Sequence, residues 1–331
     1  VIAPRLRRIS ARKEALTLLD VLAGSFHGKA ARLIRWLGII VIVIMLTVYV
    51  AAQFTAAAKT FQATFSWSYG LGVAAAAAIV LIYTVVGGFR AVAWTDVVQA
   101  IFMIAAMVLL PTMLVSQMGG FDGLWNRLVA MQEPALVDSL AGKSGLALIG
   151  FFTLWLGIPL GYPGQPHVLI RFMASRDDRA IKQASFISTA WVFILFTGAV
   201  LLGIAARGWY GTMPDPEKVL PIVAMEFLPG MLAGMMIAAV MASVSSTADS
   251  KLLVSASSVS HDLFVRLFNR RSSEVSRVMI HRATVLVIGL AALLVALSDS
   301  RVIFHFVLYA WAGLGSAFGP GLILTLLWKR T

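Results

Sequence analysis

Apolar residues in this chain come in runs close to the ~20 residues that cross a bilayer core as helix. Eight such runs follow one another, at about 34–62, 70–88, 95–117, 145–172, 183–206, 222–248, 277–297 and 304–328. Backbone N–H and C=O groups in hydrocarbon meet no water. Each run must therefore pair its own backbone, and the helix is the local way to do so. Of the 331 residues, 60% are hydrophobic and 13% charged, about half the charge of a soluble domain. The expected fold class is an all-α polytopic membrane protein.

The basic residues fix an expected orientation. With the spans taken in alternation, 21 of the 27 Lys and Arg fall on one side and 6 on the other. The positive-inside rule puts both ends of the chain in the cytoplasm. The net charge of +12 then reads as loop charge, not as a nucleic-acid surface. Residue 1 is Val, and "VIAPRLRRIS" reads as the interior of a longer chain with no leader of its own.

Several chemistries are excluded. There is no cysteine, hence no disulfide, thiolate metal site or thiol nucleophile. His27, His167, His261, His281 and His305 have no ligand spacing. No Gly-rich phosphate loop, GxSxG elbow or HExxH occurs. Ser260, His261 and Asp262 are consecutive, which is not the geometry of a triad. They are expected on a short amphipathic helix, 258–270, in a cytoplasmic connection. The chain does not read as an enzyme.

Three segments break the apolar pattern. "GIPLGYPGQPH" places Pro159, Pro163 and Pro166 among Gly157, Gly161 and Gly164. Proline removes a backbone donor and clashes with the preceding turn, so the run 145–172 cannot be one helix. Unwound backbone at membrane depth is tolerated only where protein or a cavity covers it, and such breaks mark transporter binding sites. In "IAAVMASVSSTADSKLLVSASSV", Ser243, Ser246, Thr247 and Ser250 share one helix face. Their oxygens suit a hard singly charged ion such as sodium, without the cost of a buried carboxylate. They equally suit close helix packing. In "GGFRAVAWTDVVQAIFM", Thr95 and Asp96 can cap a helix and favour its positive end.

Together these segments resemble the sodium:solute symporter family. The likeness runs through "APRLR", "ALTLLD", "GGFRAVAWTDVVQA", "GYPGQPHVLIRFMA", "STADSKLLVSASSVSHDL" and "YAWAGLGSAFGP". Within the family the chain is most similar to the bacterial proline-transporting members. The resemblance implies the inverted-repeat, five-plus-five-helix sodium-coupled transporter fold, N-terminally truncated, with the eight spans as core helices three to ten. The chain 1–331 would be one transporter domain, with spans in 34–117 belonging to the first repeat and in 145–328 to the second.

The resemblance also implies the site. Sodium would be held by the hydroxyls of Ser246 and Thr247 and the carbonyl of Ser243. Substrate would meet Tyr49, Tyr162 and Pro166, and Ile158 stands where an aromatic residue is expected. Asp96 matches a family aspartate that a coupling role or a helix cap explains equally. The implied activity is symport by alternating access of sodium with a small organic solute, L-proline first, in the inner membrane. Na+ is the coupling ion, no cofactor is needed, and the bilayer is the other partner. The alternatives are a symporter for another amino acid or carboxylate, and a symporter-like sensor domain of a histidine kinase.

Overall fold

Helices form wherever the apolar runs require them. The computed structural model describes residues 2–138, 140, 142–268, 273–298 and 302–328, and their side chains except at 86–95, 134 and 274. Two short helices, α1 (Ile2–Lys13) and α2 (Leu18–Ala23), precede the first long one, α3 (Gly28–Phe65). α4 is assigned over Tyr69–Gln117 and holds two of the expected spans. The expected turn and Thr95 cap between them lie outside the described side chains. After α5 (Gly120–Ala130) and α6 (Pro134–Val137) come α7 (Gly145–Leu160), a 3-10 turn at Tyr162–Gly164, and α8 (Pro166–Met173). Then follow α9 (Asp178–Tyr210), a 3-10 turn at Pro216–Lys218, α10 (Val219–Phe227), α11 (Gly230–Ser257), α12 (Glu274–Ala296) and α13 (Ile303–Leu327).

Among the described residues, six helical segments are long and apolar enough to cross a membrane, and two shorter apolar ones, Tyr69–Val85 and Gly145–Leu160, bring the set to the eight expected. Large side chains such as Phe186 and Phe193 stand 79% and 71% exposed. Patches of that kind are rare on a soluble monomer and are the natural lipid face of a membrane bundle.

Two boundaries differ from the sequence expectation. The run 222–248 is not one span. Leu228 is extended and Pro229 begins α11, because proline lacks the N–H that would continue α10. At the other end α11 does not stop near 248. It runs on through a π-helix, Ser258–Leu267, so the described part of the separate helix expected at 258–270 is its direct continuation, and residues 269 and 270 lie outside the described residues.

The interior of the bundle is built from α3, the first half of α4, α11 and α12. Its core is rich in alanine, including Ala51, Ala57, Ala76, Ala248 and Ala292. Small residues let membrane helices approach closely. A Cβ on Gly72 would lie 2.9 Å from the Ala58 Cα, so α3 and α4 meet backbone to backbone there.

Ionic groups tie the ends of the helices. At one end Lys59 of α3 reaches Asp215 at 3.0 Å and Glu217 at 2.6 Å. Glu217 also accepts the N–H groups of Ile303 and Phe304, at 3.1 Å each, and so caps α13. At the other end Arg35 of α3 bridges Asp20 of α2 at 3.0 Å and Asp262 of the π-helix at 2.9 Å. Thr17 donates to Asp262 at 2.9 Å, and Arg266 and His261 close on Asp20 at 3.2 and 3.0 Å. His261 and Asp262 therefore serve a structural knot, and two arginines answer its two acids.

Burial would raise the Asp20 carboxyl. The His261 contact, the charges of His261 and Arg266 and the Leu16 N–H outweigh it, and hold the group well below the ordinary value of 3.8. A depressed folded pKa contributes stability that is whole above the unfolded value and is lost as pH falls from there through the lower folded value. Asp20→Asn is expected to lower the melting temperature of the detergent-solubilised protein at pH 7, by the equivalent of about 3 kcal/mol for one member of a buried pair. The gap from wild type is expected to close as pH drops below about 4. A gap that is absent at pH 7, or constant with pH, would show that the knot does not depend on Asp20.

Candidate functional site

Breaking a helix inside the bundle frees carbonyls, and the structure shows what takes them up. Past Leu160 the chain passes through Gly161 and the 3-10 turn before α8 begins at Pro166. The Ile158 carbonyl accepts Trp311 Nε1 of α13 at 2.8 Å. The amide of Gln165, fully buried, donates to the carbonyls of Gly161 at 3.2 Å and Trp311 at 3.1 Å. A Cβ on Gly164 would fall 2.5 Å from the Leu314 carbonyl and 2.6 Å from the Gly315 Cα. The break is thus covered by α13, and only glycine admits that approach.

The same contact supplies an aromatic group. Trp311 stands edge-on to Tyr162, with ring centroids 4.8 Å apart and planes at 82°. Ile158 leaves the expected aromatic position empty on its own helix, and Trp311 brings an indole to the same turn from α13. This arrangement is tertiary and could not be read from local spacing.

Tyr49 lies in the middle of α3 and meets both neighbouring elements. The His167 ring of α8 is edge-on to it at 5.9 Å. The ammonium of Lys251, on α11, lies 4.2 Å from its ring centroid. Pro166 is buried as the first residue of α8, beside His167. Tyr49, His167 and Pro166 are therefore grouped. Tyr162 stands four residues before Pro166 and packs on α13.

On α11, Ser243, Ser246, Thr247 and Ser250 all lie within one unbroken helix, so the shared face is real. Ser246 donates to Asp96. The other oxygen of Asp96 is engaged by Arg171 of α8 at 2.7 Å. Asp96, within α4, thus joins the hydroxyl face of α11 to the far side of the break. Ser250 bonds back to the Thr247 carbonyl at 3.1 Å. One residue earlier, Asp249 points the other way and accepts a bond from Thr84 of α4. A cavity of about 960 Å³ extends from Asp96, His167 and Arg171 past Ser250 to Ser257.

The sequence reading missed Trp311, His167, Asp249 and Lys251. For the last two a signal was present, since ionisable residues inside an apolar span mark function by default. Lys251 lies just beyond the expected span 222–248. It is 3% exposed within α11.

Trp311→Phe keeps a ring beside Tyr162 and removes the donor to Ile158, at an expected cost of about 1 kcal/mol. Trp311→Ala removes both, at about 3 kcal/mol. Thermal unfolding in detergent separates them. A Phe variant as unstable as the Ala variant would mean that the hydrogen bond alone covers the break.

The comparisons agree with this architecture. The sequence matches the sodium:solute symporter family over residues 1–331. It is 36% identical over 335 residues to the osmoregulated proline transporter OpuE of Bacillus subtilis, covering all of this chain and 67% of that protein. It is 35% identical over 340 residues to the sodium/proline symporter of Escherichia coli, covering all of this chain and 66% of that protein. The chain thus spans about two thirds of the length of these relatives. Among solved structures, a sodium-coupled sialic acid symporter in a substrate-bound, outward-open state superposes with a TM-score of 0.75 at 17% identity. It covers 98% of this chain and 68% of that one, and at that identity it speaks for the fold. This chain belongs to the sodium:solute symporter family, a family of secondary transporters.

Proposed function

We propose that this chain forms most of the membrane domain of a symporter that couples sodium entry to uptake of L-proline by alternating access. The observation that carries the reading is the position of Asp96, held by Ser246 of α11 on one side and Arg171 beyond the break on the other. A cation drawn to this hydroxyl face competes for Asp96 and so acts on the broken helix as well.

The donor set fits the ion. Ser246, Thr247 and Asp96 present oxygen only, and a hard cation prefers oxygen to nitrogen or sulfur. In this reading Ser246 and Thr247 supply hydroxyls to sodium, and Ser243 a carbonyl. Ser250 lines the way out along the cavity. Tyr49, Tyr162, Ile158 and Pro166 face the substrate, and Trp311 supplies the aromatic wall. A flat apolar ring such as pyrrolidine packs well on aromatic faces. Proline is supported by the names of the relatives at 35–36% identity.

The basic bias of the connections puts both ends of the described chain in the cytoplasm. The spans in 34–117 then belong to the first repeat and those in 145–328 to the second, and the two repeats rock about the site between them. Each ligand raises the affinity of the other by the same factor.

Radiolabelled proline uptake by the full-length protein in proteoliposomes tests this. An inward sodium gradient is expected to drive accumulation. In Ser246→Ala, Thr247→Ala the loss of two ion-dipole contacts, about 1.5 kcal/mol each, is expected to cut uptake at limiting sodium about 100-fold. Uptake that ignores the gradient would overturn the coupling. Gradient-driven uptake untouched by the double substitution would return the hydroxyl face to a packing role.

A further inference from the structure

A lysine ammonium inside a membrane bundle is costly and normally finds a carboxylate. Lys251 has none within ion-pair distance among the described residues. The acid closest to it in sequence, Asp249, faces α4 and holds Thr84 instead. The ammonium rests on the face of Tyr49, 4.2 Å from the ring centroid. His167, 7% exposed, stands edge-on to that ring, and its Nδ1 has no hydrogen-bond partner among the described residues. Three elements, α3, α8 and α11, thus bring an ammonium and an imidazole against one tyrosine ring. No carboxylate lies within ion-pair distance of the ammonium among the described residues, and the acid that acts on it from further off, Asp96, is held by Ser246 and Arg171.

The ligand that such a group takes is a carboxylate. The residues assigned above to the substrate, Tyr49, Ile158, Tyr162 and Pro166, can hold an apolar ring and carry no positive charge. An amino acid entering the site brings a carboxylate that cannot be left unpaired in a dry interior. We propose that Lys251, flanked by Tyr49 and His167, is the seat of the substrate's carboxylate. This inference rests on the reading of the protein as an amino-acid symporter.

The position gives the seat a second consequence. Lys251 is four residues beyond Thr247 on the same helix face, a rise of about 6 Å. A carboxylate on Lys251 lies within one turn of the proposed sodium oxygens. Substrate then cancels the lysine charge that opposes a nearby cation, which is a physical route to reciprocal coupling.

The test uses the full-length protein in saturating sodium, with affinities read from ligand-induced shifts in thermal unfolding. The ligands are L-proline and prolinol, which keeps the ring and lacks the carboxylate. Wild type is expected to prefer proline. In Lys251→Met the affinity for proline is expected to fall on the order of 100-fold, as for a buried charge pair cut on one side. Prolinol is expected to bind as before, so that the preference collapses. Lys251→Arg is expected to recover part of it, and Lys251→Gln serves if the Met variant does not fold. A preference unchanged in the neutral variants would place the carboxylate elsewhere. Equal loss of both ligands would make Lys251 a support of the site and overturn the assignment. If wild type binds another amino acid and not proline, the proline reading falls, and that amino acid and its alcohol test Lys251 in the same way.

Discussion

The rest of this structure depends on one constraint: a backbone polar group surrounded by hydrocarbon must find its partner within the protein. It makes the spans helical, and it decides where they can stop being helical. The one break rich in Pro and Gly lies where α13 covers it. There the Ile158 and Gly161 carbonyls leave the regular ladder for tighter bonds from the Gly161 and Gly164 N–H groups, and the side chains of Trp311 and Gln165 add a second donor to each. A site needs irregular backbone to present polar atoms. The bilayer permits irregular backbone only under such cover, so the cover and the site come from the same contact.

Polar atoms elsewhere in the interior follow the same economy. Asp96 meets Ser246 and Arg171, and Asp249 meets Thr84. Most intramembrane charges thus have a partner on another helix and double as crosslinks between helices. Lys251 departs from this pattern: among the described residues it makes no ion pair, and its ammonium lies against the Tyr49 ring.

Much of this was legible in the sequence, and the remainder was hidden for physical reasons. The number of spans follows from apolar length. The break follows from Pro159, Pro163 and Pro166, and the shared hydroxyl face follows from helical period. The second break at Pro229 carried the same signal, but its apolar flanks on both sides concealed it. Trp311 reaches Ile158 from more than 150 residues away, and Asp20, Arg35 and Asp262 meet from three separate stretches. No local spacing encodes such meetings. Lys251 was hidden because a lysine near the end of an apolar run looks like the start of a loop.

The continuity of α11 with the π-helix has a mechanical meaning. Ser246 and Asp262 sit on one rod, roughly 20 Å apart along its axis, so a tilt of about 5° at one end moves the other by close to 2 Å. That is enough to part Asp262 from Arg35, now 2.9 Å away. The rod thus has the form of a lever whose far tip is held by one charge contact. A small rotation about Ser246 would reach the other end of the rod as the making or breaking of a discrete charge contact.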